Sequence, residues 1–514
     1  MRPLMGEGIV DLAREAPPGR LTAEVCIIGS GCAGATAARR LAEAGHEVVV
    51  LEEGGDFTGK QLTQRGTAMY DQLYMDRGGR TTEDASVSIL QGRVLGGGGV
   101  INACDVVPPP ESVLEFWGRK YGLTGFSAAA LRPNIQRALD DLGAHPGRRA
   151  ELNEANMLLE RGAQALGYRG EAMMHNRREC IGLGTCLLGC PANAKQNPRF
   201  VAIPAAVRAG ARFYTRARAV RVRHTTGELK LIEARTLDAK GYHEREPFEI
   251  QAKVLILAAN AVGSTHLLLR SGIGNEHIGQ HLSLQPQLPV TALFDHVVDA
   301  FSGIPQAYAV THFEEEDNPE HGLWGFRIEA IFGTPDITAS LLPYSGLEAK
   351  EVMTRFPHMA SALLLAPDDP TGQVGIHQSG RPLVRYRHDE NHRSRLRQAI
   401  KAAARVYLAA GARQVDVPVM PPLRIASEKD LEQVDRLAFE PATAPLLSAH
   451  QQGGVRFAPT PAHGGANPEG QVYGTRDVYV FDSAGFPSSA SSHTMTPIIA
   501  IAHHLSDGLI ARLG

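Results

Sequence analysis

The stretch AEVCIIGSGCAGATAARRLAEAGHEVVVLEEGG, Ala23 to Gly55, decides the fold. Val25 to Ile28 is a short apolar run of the kind that fills a buried parallel strand. Gly29, Gly31 and Gly34 follow in GxGxxG spacing, then an alanine-rich helix ending near Gly45, a strand from Val48 to Leu51, and Glu52. Glycine lets the backbone turn tightly and approach a pyrophosphate, which then sits on the helix N-terminus. Glu52, 18 residues beyond the last glycine, is placed to accept hydrogen bonds from a ribose diol. The glycine spacing alone is weak, but inside a strand–turn–helix–strand that ends in an acid it becomes strong. Cys32 within the loop reads as a small filler. The unit predicts a dinucleotide site and leaves NAD and FAD open.

Outward from this unit, 514 residues is about twice the length at which one core stops growing, so more than one domain is expected. The 52 basic and 55 acidic side chains give a formal charge of −3, so no basic field exists to hold nucleic acid or an anionic membrane. No apolar run approaches the ~18 residues of a spanning helix, and the first twenty residues lack a signal peptide's apolar core. A soluble, cytoplasmic protein is the expectation. Three of the six cysteines, Cys180, Cys186 and Cys190, share one eleven-residue stretch, a local cluster rather than a disulfide framework.

A second glycine loop, GRVLGGGGVINACDVVPP from Gly92, has four consecutive glycines, Gly96 to Gly99, between apolar flanks. Such a run can wrap backbone N–H groups around phosphate or a planar ring. AKVLILAANAVGSTHLLLRSGIG, Ala252 to Gly274, reads as strand, small-residue turn, amphipathic helix and glycine stop. Near the end, Val478 to Phe481 is an apolar strand followed by Asp482, a carboxylate aimed at the ligand crevice of an open α/β sheet.

With SAHQQGG and the closing VYVFDSAGFPSS…H…PIIAIAHHLSD, these stretches make five ordered motifs that resemble the glucose–methanol–choline (GMC) oxidoreductases, closest to their long-chain fatty alcohol and cholesterol oxidase branch. The resemblance implies FAD, with Gly96, Gly97, Asn102, Asp482 and Thr494 among its contacts beside Gly29, Gly31, Gly34 and Glu52. It also implies oxidation of an alcohol, with hydride passing to flavin N5 while a histidine takes the hydroxyl proton. By position that histidine pair is His450 in SAHQQGG and His493 in SSHTMTP. A neutral imidazole near its pKa can accept and release such a proton. The family usually has proline where Thr265 stands and histidine before a proline where Gln285 stands. Members that bind FAD covalently have histidine in the place of Ile101, so this chain is expected to hold FAD non-covalently.

His493 precedes an apolar helix, with Ser492 or His493 expected at its N-cap and Pro497 tolerated in the first turn. That positive helix end would face the flavin edge where negative charge appears. His503 and His504 lie about 15 Å further along the helix and cannot share a metal with His493. They are expected on the helix's outer face. In ECIGLGTCLLGCPANAKQNP, cysteine spacings of six and four ending in Cys-Pro raise an iron–sulfur cluster on Cys180, Cys186 and Cys190. No fourth local thiolate exists, and the segment also resembles the GCPxxAKxS segment of long-chain alcohol oxidases, which needs no cluster, so no metal is the expectation.

The fold class that follows is α/β: a Rossmann-like FAD-binding domain with a parallel sheet, plus a substrate domain of antiparallel sheet and helices. The first is expected from residues 20–110, 180–290 and 440–514, the second from 111–179 and 291–439. GLWGFRIEAIFG, ASALLLAPD and QVGIHQSGRPLVRYR read as its strands and HRSRLRQAIKAAARVYLAAGA as its long helix. The expected partner is a small, hydrophobic alcohol, with oxygen or an unspecified acceptor taking the electrons. Two other readings stand beside it: a non-redox or light-driven flavoprotein (lyase or decarboxylase), and a sugar dehydrogenase whose iron–sulfur cluster passes electrons to a partner.

Overall fold

In the computed structural model, which describes residues 8–314, 317–318, 322–323 and 325–514, the opening motif forms strand Arg20–Ile28, helix Cys32–Glu43 and strand Val48–Glu52. The two strands pair in parallel, Val25 against Val48 through Ile28 against Leu51, and are buried by the alanines of the helix. Small side chains let that helix lie close to the sheet, and Gly34 shows how close: a Cβ there would stand 1.9 Å from the Gly29 carbonyl oxygen.

An eight-stranded sheet grows on both sides of this unit. Its order is Ile9–Asp11, Arg212–Thr215, Val48–Glu52, Arg20–Ile28, Glu244–Leu257, Lys230–Leu237 and Ala217–Arg223, with Val478–Val480 added in parallel to the end of Glu244–Leu257. The strands nearest the glycine motif are parallel, whereas Ala217–Arg223 and Lys230–Leu237 form an antiparallel flank. Leu257 leads into helix Asn260–Ser271, which ends on Gly272 in the left-handed conformation.

The second sheet has nine strands and is mainly antiparallel. Along its main path run Leu423–Ile425, Gln414–Val417, Gln287–Leu293, Met359–Leu365, Arg327–Ile331, Tyr308–Val310 and Gly170–Ala172. Leu446–Ser448 joins Gln287–Leu293 and pairs in parallel with Val87–Ile89. Segments expected on the cofactor side of the molecule thus lend strands to this sheet as well. Helix Glu390–Ala409, capped by Asp389, packs on it through Leu396, Ile400 and Tyr407. The strands expected in QVGIHQSGRPLVRYR form a separate hairpin, Gln373–Ile376 with Pro382–Arg385. In GLWGFRIEAIFG, Arg327–Ile331 is a strand, and Trp324 lies outside the described residues.

Among the described residues no helix is long and apolar enough to cross a membrane. The closing helix, Met495–Leu513, lies against Cys32–Glu43 and Ala128–Leu142. Its start and its histidines differ from expectation. Thr494, not Ser492 or His493, is the N-cap, directly before the first helical residue Met495, and its side chain makes no capping hydrogen bond; Pro497 is in the first turn as expected. His503 is buried, not on the outer face: its Nε2 meets Asp141 Oδ2 at 3.0 Å, in the seam between two helices. His504 is half-buried beside the Phe126 ring.

Candidate active site

The two glycine loops meet face to face. Gly97 has φ +57°, and a Cβ on it would stand 2.7 Å from Gly31 Cα, so the two backbones are in contact with no room for a side chain. Gly31 is the N-cap of helix Cys32–Glu43 and supplies no side-chain cap, which leaves the first N–H groups free for an anion. From this floor a cavity of about 1660 Å³ runs past Glu52, Asn102 and Asp482 to His450 and His493. Its volume exceeds the several hundred Å³ of an ordinary small-molecule pocket and suits a long cofactor together with a substrate.

Glu52 is more constrained than a free ribose acceptor. Its Oε2 takes Ser30 N at 3.1 Å and Ser30 Oγ at 2.6 Å, and its Oε1 takes Gly54 N at 2.7 Å. The carboxylate ties the second strand to the first glycine loop and still lines the cavity with its remaining acceptor capacity. Burial pushes its pKa up, against those hydrogen bonds. Gly96 N–H donates to Ser30 Oγ, which locks the second loop to the first. Asp482 accepts Ser264 Oγ at 2.6 Å and Ala484 N at 2.9 Å, and burial raises its pKa to about 6. Asn102 Oδ1 accepts the Cys104 N–H, and its amide donates to Met495 Sδ, joining the second loop to the closing helix. Beneath it, the buried Lys195 ammonium donates to the carbonyls of Val100, Asn102 and Cys186. Thr494 lines the cavity where that helix begins.

The fold brings the two histidines together from segments over forty residues apart. Their rings meet edge to face with centroids 5.1 Å apart. Gln452 spans both segments, donating to His450 O and accepting from Ala490 N. His450 Nδ1 meets Gln285 Oε1 at 2.9 Å and Gln287 Nε2 at 3.0 Å. Gln285 is itself anchored: Asp368 accepts Ser283 Oγ, the N–H groups of Leu284 and Gln285, and Tyr386 OH.

Sequence reasoning missed the carboxylates behind His493. Its Nε2 lies 2.9 Å from both oxygens of Glu329, a wholly buried residue that also accepts from Arg327 Nε and Gln306 Nε2. Asp105, buried beside Arg177, lines the cavity with Oδ2 lacking a hydrogen-bond partner. The surroundings split the two imidazoles. Burial, helped by the positive side of His493, drives His450 down to about 3. Burial also opposes charge on His493, but Glu329 and Asp105 outweigh it and raise that pKa above its ordinary value. Glu329 in turn, despite burial, is held down to about 2 by His493 and Arg327, while burial lifts Asp105 to about 7 against Arg177 and His493. The surroundings favour the neutral form of His450 and the charged form of His493.

No three of the described histidines, cysteines, aspartates and glutamates are set to hold a metal ion. Cys180, Cys186 and Cys190 line a separate space of about 20 Å³, large enough for one water.

A parallel sheet with a double glycine floor, opening into a cavity that ends on paired histidines, defines a dinucleotide-binding redox enzyme. Comparison with known proteins names its family. Residues 70–287 and 357–502 match the two GMC oxidoreductase patterns, N- and C-terminal, and residues 27–87 match the NAD(P)-binding Rossmann-like domain. An uncharacterized GMC-type oxidoreductase of Mycobacterium tuberculosis is 30% identical over 96% of this chain and 77% of its own. A long-chain-alcohol oxidase of Arabidopsis thaliana is 28% identical, covering 96% of this chain and 68% of the relative. In fold, the chain is similar to pyridoxine 4-oxidase from Mesorbium loti, with a TM-score of 0.71 and 17% identity over 95% and 99% of the two chains. Formate oxidase of Aspergillus oryzae gives a TM-score of 0.69 at 14% identity over 96% and 99%. The chain belongs to the GMC oxidoreductase family and is an FAD-dependent oxidoreductase.

Proposed function

We propose that this protein oxidises a largely hydrophobic alcohol to an aldehyde or ketone, with His450 as the base and His493 as its cationic partner. One observation carries the reading: two histidines share one cavity wall, and only His493 is backed by a buried carboxylate, Glu329, which favours its charged form while burial favours neutral His450. FAD, held non-covalently by the two glycine loops with Glu52, Asn102 and Asp482, supplies the two-electron acceptor when bound. Proton abstraction needs a neutral base. Burial favours neutral His450, and in the tautomer that donates Nδ1–H to Gln285 Oε1, rather than accepting from Gln287 Nε2, the lone pair lies on Nε2, which has no hydrogen-bond partner among the described residues. His493, charged through Glu329, donates a hydrogen bond toward the oxygen that becomes anionic as its proton leaves. The uncapped start of helix Met495–Leu513 adds its positive end at the same wall.

The walls favour an apolar substrate: Pro289, Ile331, Phe332, Leu363 and Leu447 line the cavity beyond the histidines. The long-chain-alcohol oxidase relative supports the same substrate class. We assign FAD binding mainly to residues 20–110, 180–290 and 440–514 and substrate binding to 111–179 and 291–439, with the strands Val87–Ile89 and Leu446–Ser448 shared between them.

Anaerobic mixing with a panel of primary and secondary alcohols tests the reading: bleaching of the flavin is expected with hydrophobic members. FAD-loaded protein that no alcohol bleaches refutes it. Light-dependent product without an acceptor would establish the lyase or decarboxylase alternative. Iron bound with the flavin, with absorption beyond the flavin bands, would establish the electron-transferring one.

A further inference from the structure

The cavity face of the antiparallel sheet carries a second polar feature, remote from the histidines. Thr291 is paired with Ser361 on one neighbouring strand and with Asp416 on the other. Direct cross-strand partners share a face, and Thr291 Oγ1 lies 3.0 Å from Ser361 Oγ. All three line the cavity, and none is more than 9% exposed. Between this row and the histidines the same face presents Pro289 paired with Leu363, both apolar. Gln287, which touches His450, and Thr291 are four residues apart on one strand, roughly 13 Å.

Polar groups in a buried row are costly unless a partner meets them. Asp416 Oδ1 accepts from Gln414 at 2.9 Å and faces Arg424 Nε at 3.9 Å, which offsets part of its charge. A chain ending in a methyl group would displace water from this row and give nothing back. A chain ending in a hydrogen-bond donor would replace that water.

Resting on the oxidation reading above, we infer that the substrate is bifunctional: an apolar chain with the reacting hydroxyl at His450 and a second hydroxyl at the row Ser361, Thr291 and Asp416. Thr291 and Ser361 orient the distal oxygen and Asp416 accepts its proton in a hydrogen bond. The separation suits on the order of ten carbon atoms in an extended chain.

The test compares decanol, its terminal diol and its terminal amino alcohol with the FAD-loaded enzyme, following anaerobic flavin bleaching against substrate concentration. The diol is expected to half-saturate at about one tenth of the decanol concentration, with an unchanged limiting rate, as loss of one hydrogen bond predicts. In Asp416→Leu and Thr291→Val that ratio falls to about one, and in Asp416→Asn it is intermediate. Equal half-saturation for diol and decanol, or a ratio that survives Asp416→Leu, overturns the inference. Tighter binding of the amino alcohol than of the diol also overturns it, by making charge the recognised feature. Absence of bleaching by every alcohol is a different result, which sinks the oxidation reading itself.

Discussion

Replacing Glu329 by glutamine tests the charge on His493. In the native protein Nε2 lies 2.9 Å from both carboxylate oxygens, and nothing of Glu329 reaches solvent. Two unit charges about 4 Å apart interact by about 4 kcal/mol at an effective dielectric of ~20. Asp105 remains in Glu329→Gln and the amide keeps one accepting oxygen, while Arg327, its carboxylate gone, opposes charge on His493, so at least half of that is lost, ~2 kcal/mol. That loss moves the His493 pKa downward. The charged ring is then less favoured at neutral pH than in the native protein. If charged His493 stabilises the departing proton's oxygen, the limiting rate of flavin bleaching falls by ~10²–10³ above the shifted pKa. It recovers as acid restores the charge. Stopped-flow bleaching across pH reads both effects, and nitrogen-15 spectra of the histidines read the pKa directly. A variant whose rate is lower by the same factor at every pH, with its basic limb unmoved, refutes the reasoning and leaves Glu329 a packing residue.

Other outcomes follow from the same geometry. His450→Ala should retain FAD and lose ~10²–10⁴ of the bleaching rate, checked by the flavin spectrum beside stopped-flow; wild-type rates would remove His450 from the chemistry. Gly97→Ala places a Cβ 2.7 Å from Gly31 Cα at a positive φ, so FAD affinity measured by equilibrium dialysis should fall at least tenfold. Acid precipitation should release all flavin into the supernatant, since Ile101 stands where covalent relatives have histidine; flavin in the pellet contradicts this. Glu329 has its pKa at about 2 in the fold against an ordinary 4.5, so its contribution is complete above pH 4.5 and is lost as pH falls toward 2. That amounts to about 3 kcal/mol, visible in denaturant titrations of native protein but not of Glu329→Gln.

The parts of the fold readable from sequence are those in which one local pattern has one physical solution. A strand, three spaced glycines and an alanine helix leave the backbone little choice, and the glycine positions hold to within contact distance. That His450 and His493 meet was readable because the motifs flanking them, SAHQQGG and SSHTMTP, resemble the family's. Glu329 was not singled out, although the alternation in FRIEAIF contained a signal: Arg327 and Glu329, two apart, put charges on one face of an otherwise apolar strand. Buried charge in such a position demands partners, but its partner is 164 residues away. Asp105 sits in a loop without periodicity, and its burial depends on Arg177 arriving from another segment. The start of the last helix was misplaced by one or two residues because no side chain caps it in the fold, so the capping preference of Ser492 marks no boundary.

Lys195 gives the second glycine loop an unexpected mechanical character. One ammonium, holding the carbonyls of Val100, Asn102 and Cys186, welds that loop to the cysteine stretch, so opening either one leaves a buried cation short of acceptors. The loop is therefore no hinged cover over the cofactor. Amide exchange at Val100 and Ile101 should proceed in step with exchange at Leu188 and Gly189, as one cooperative unit. Flavin then binds against a loop already in place, and its arrival should leave the exchange of these amides in step with one another.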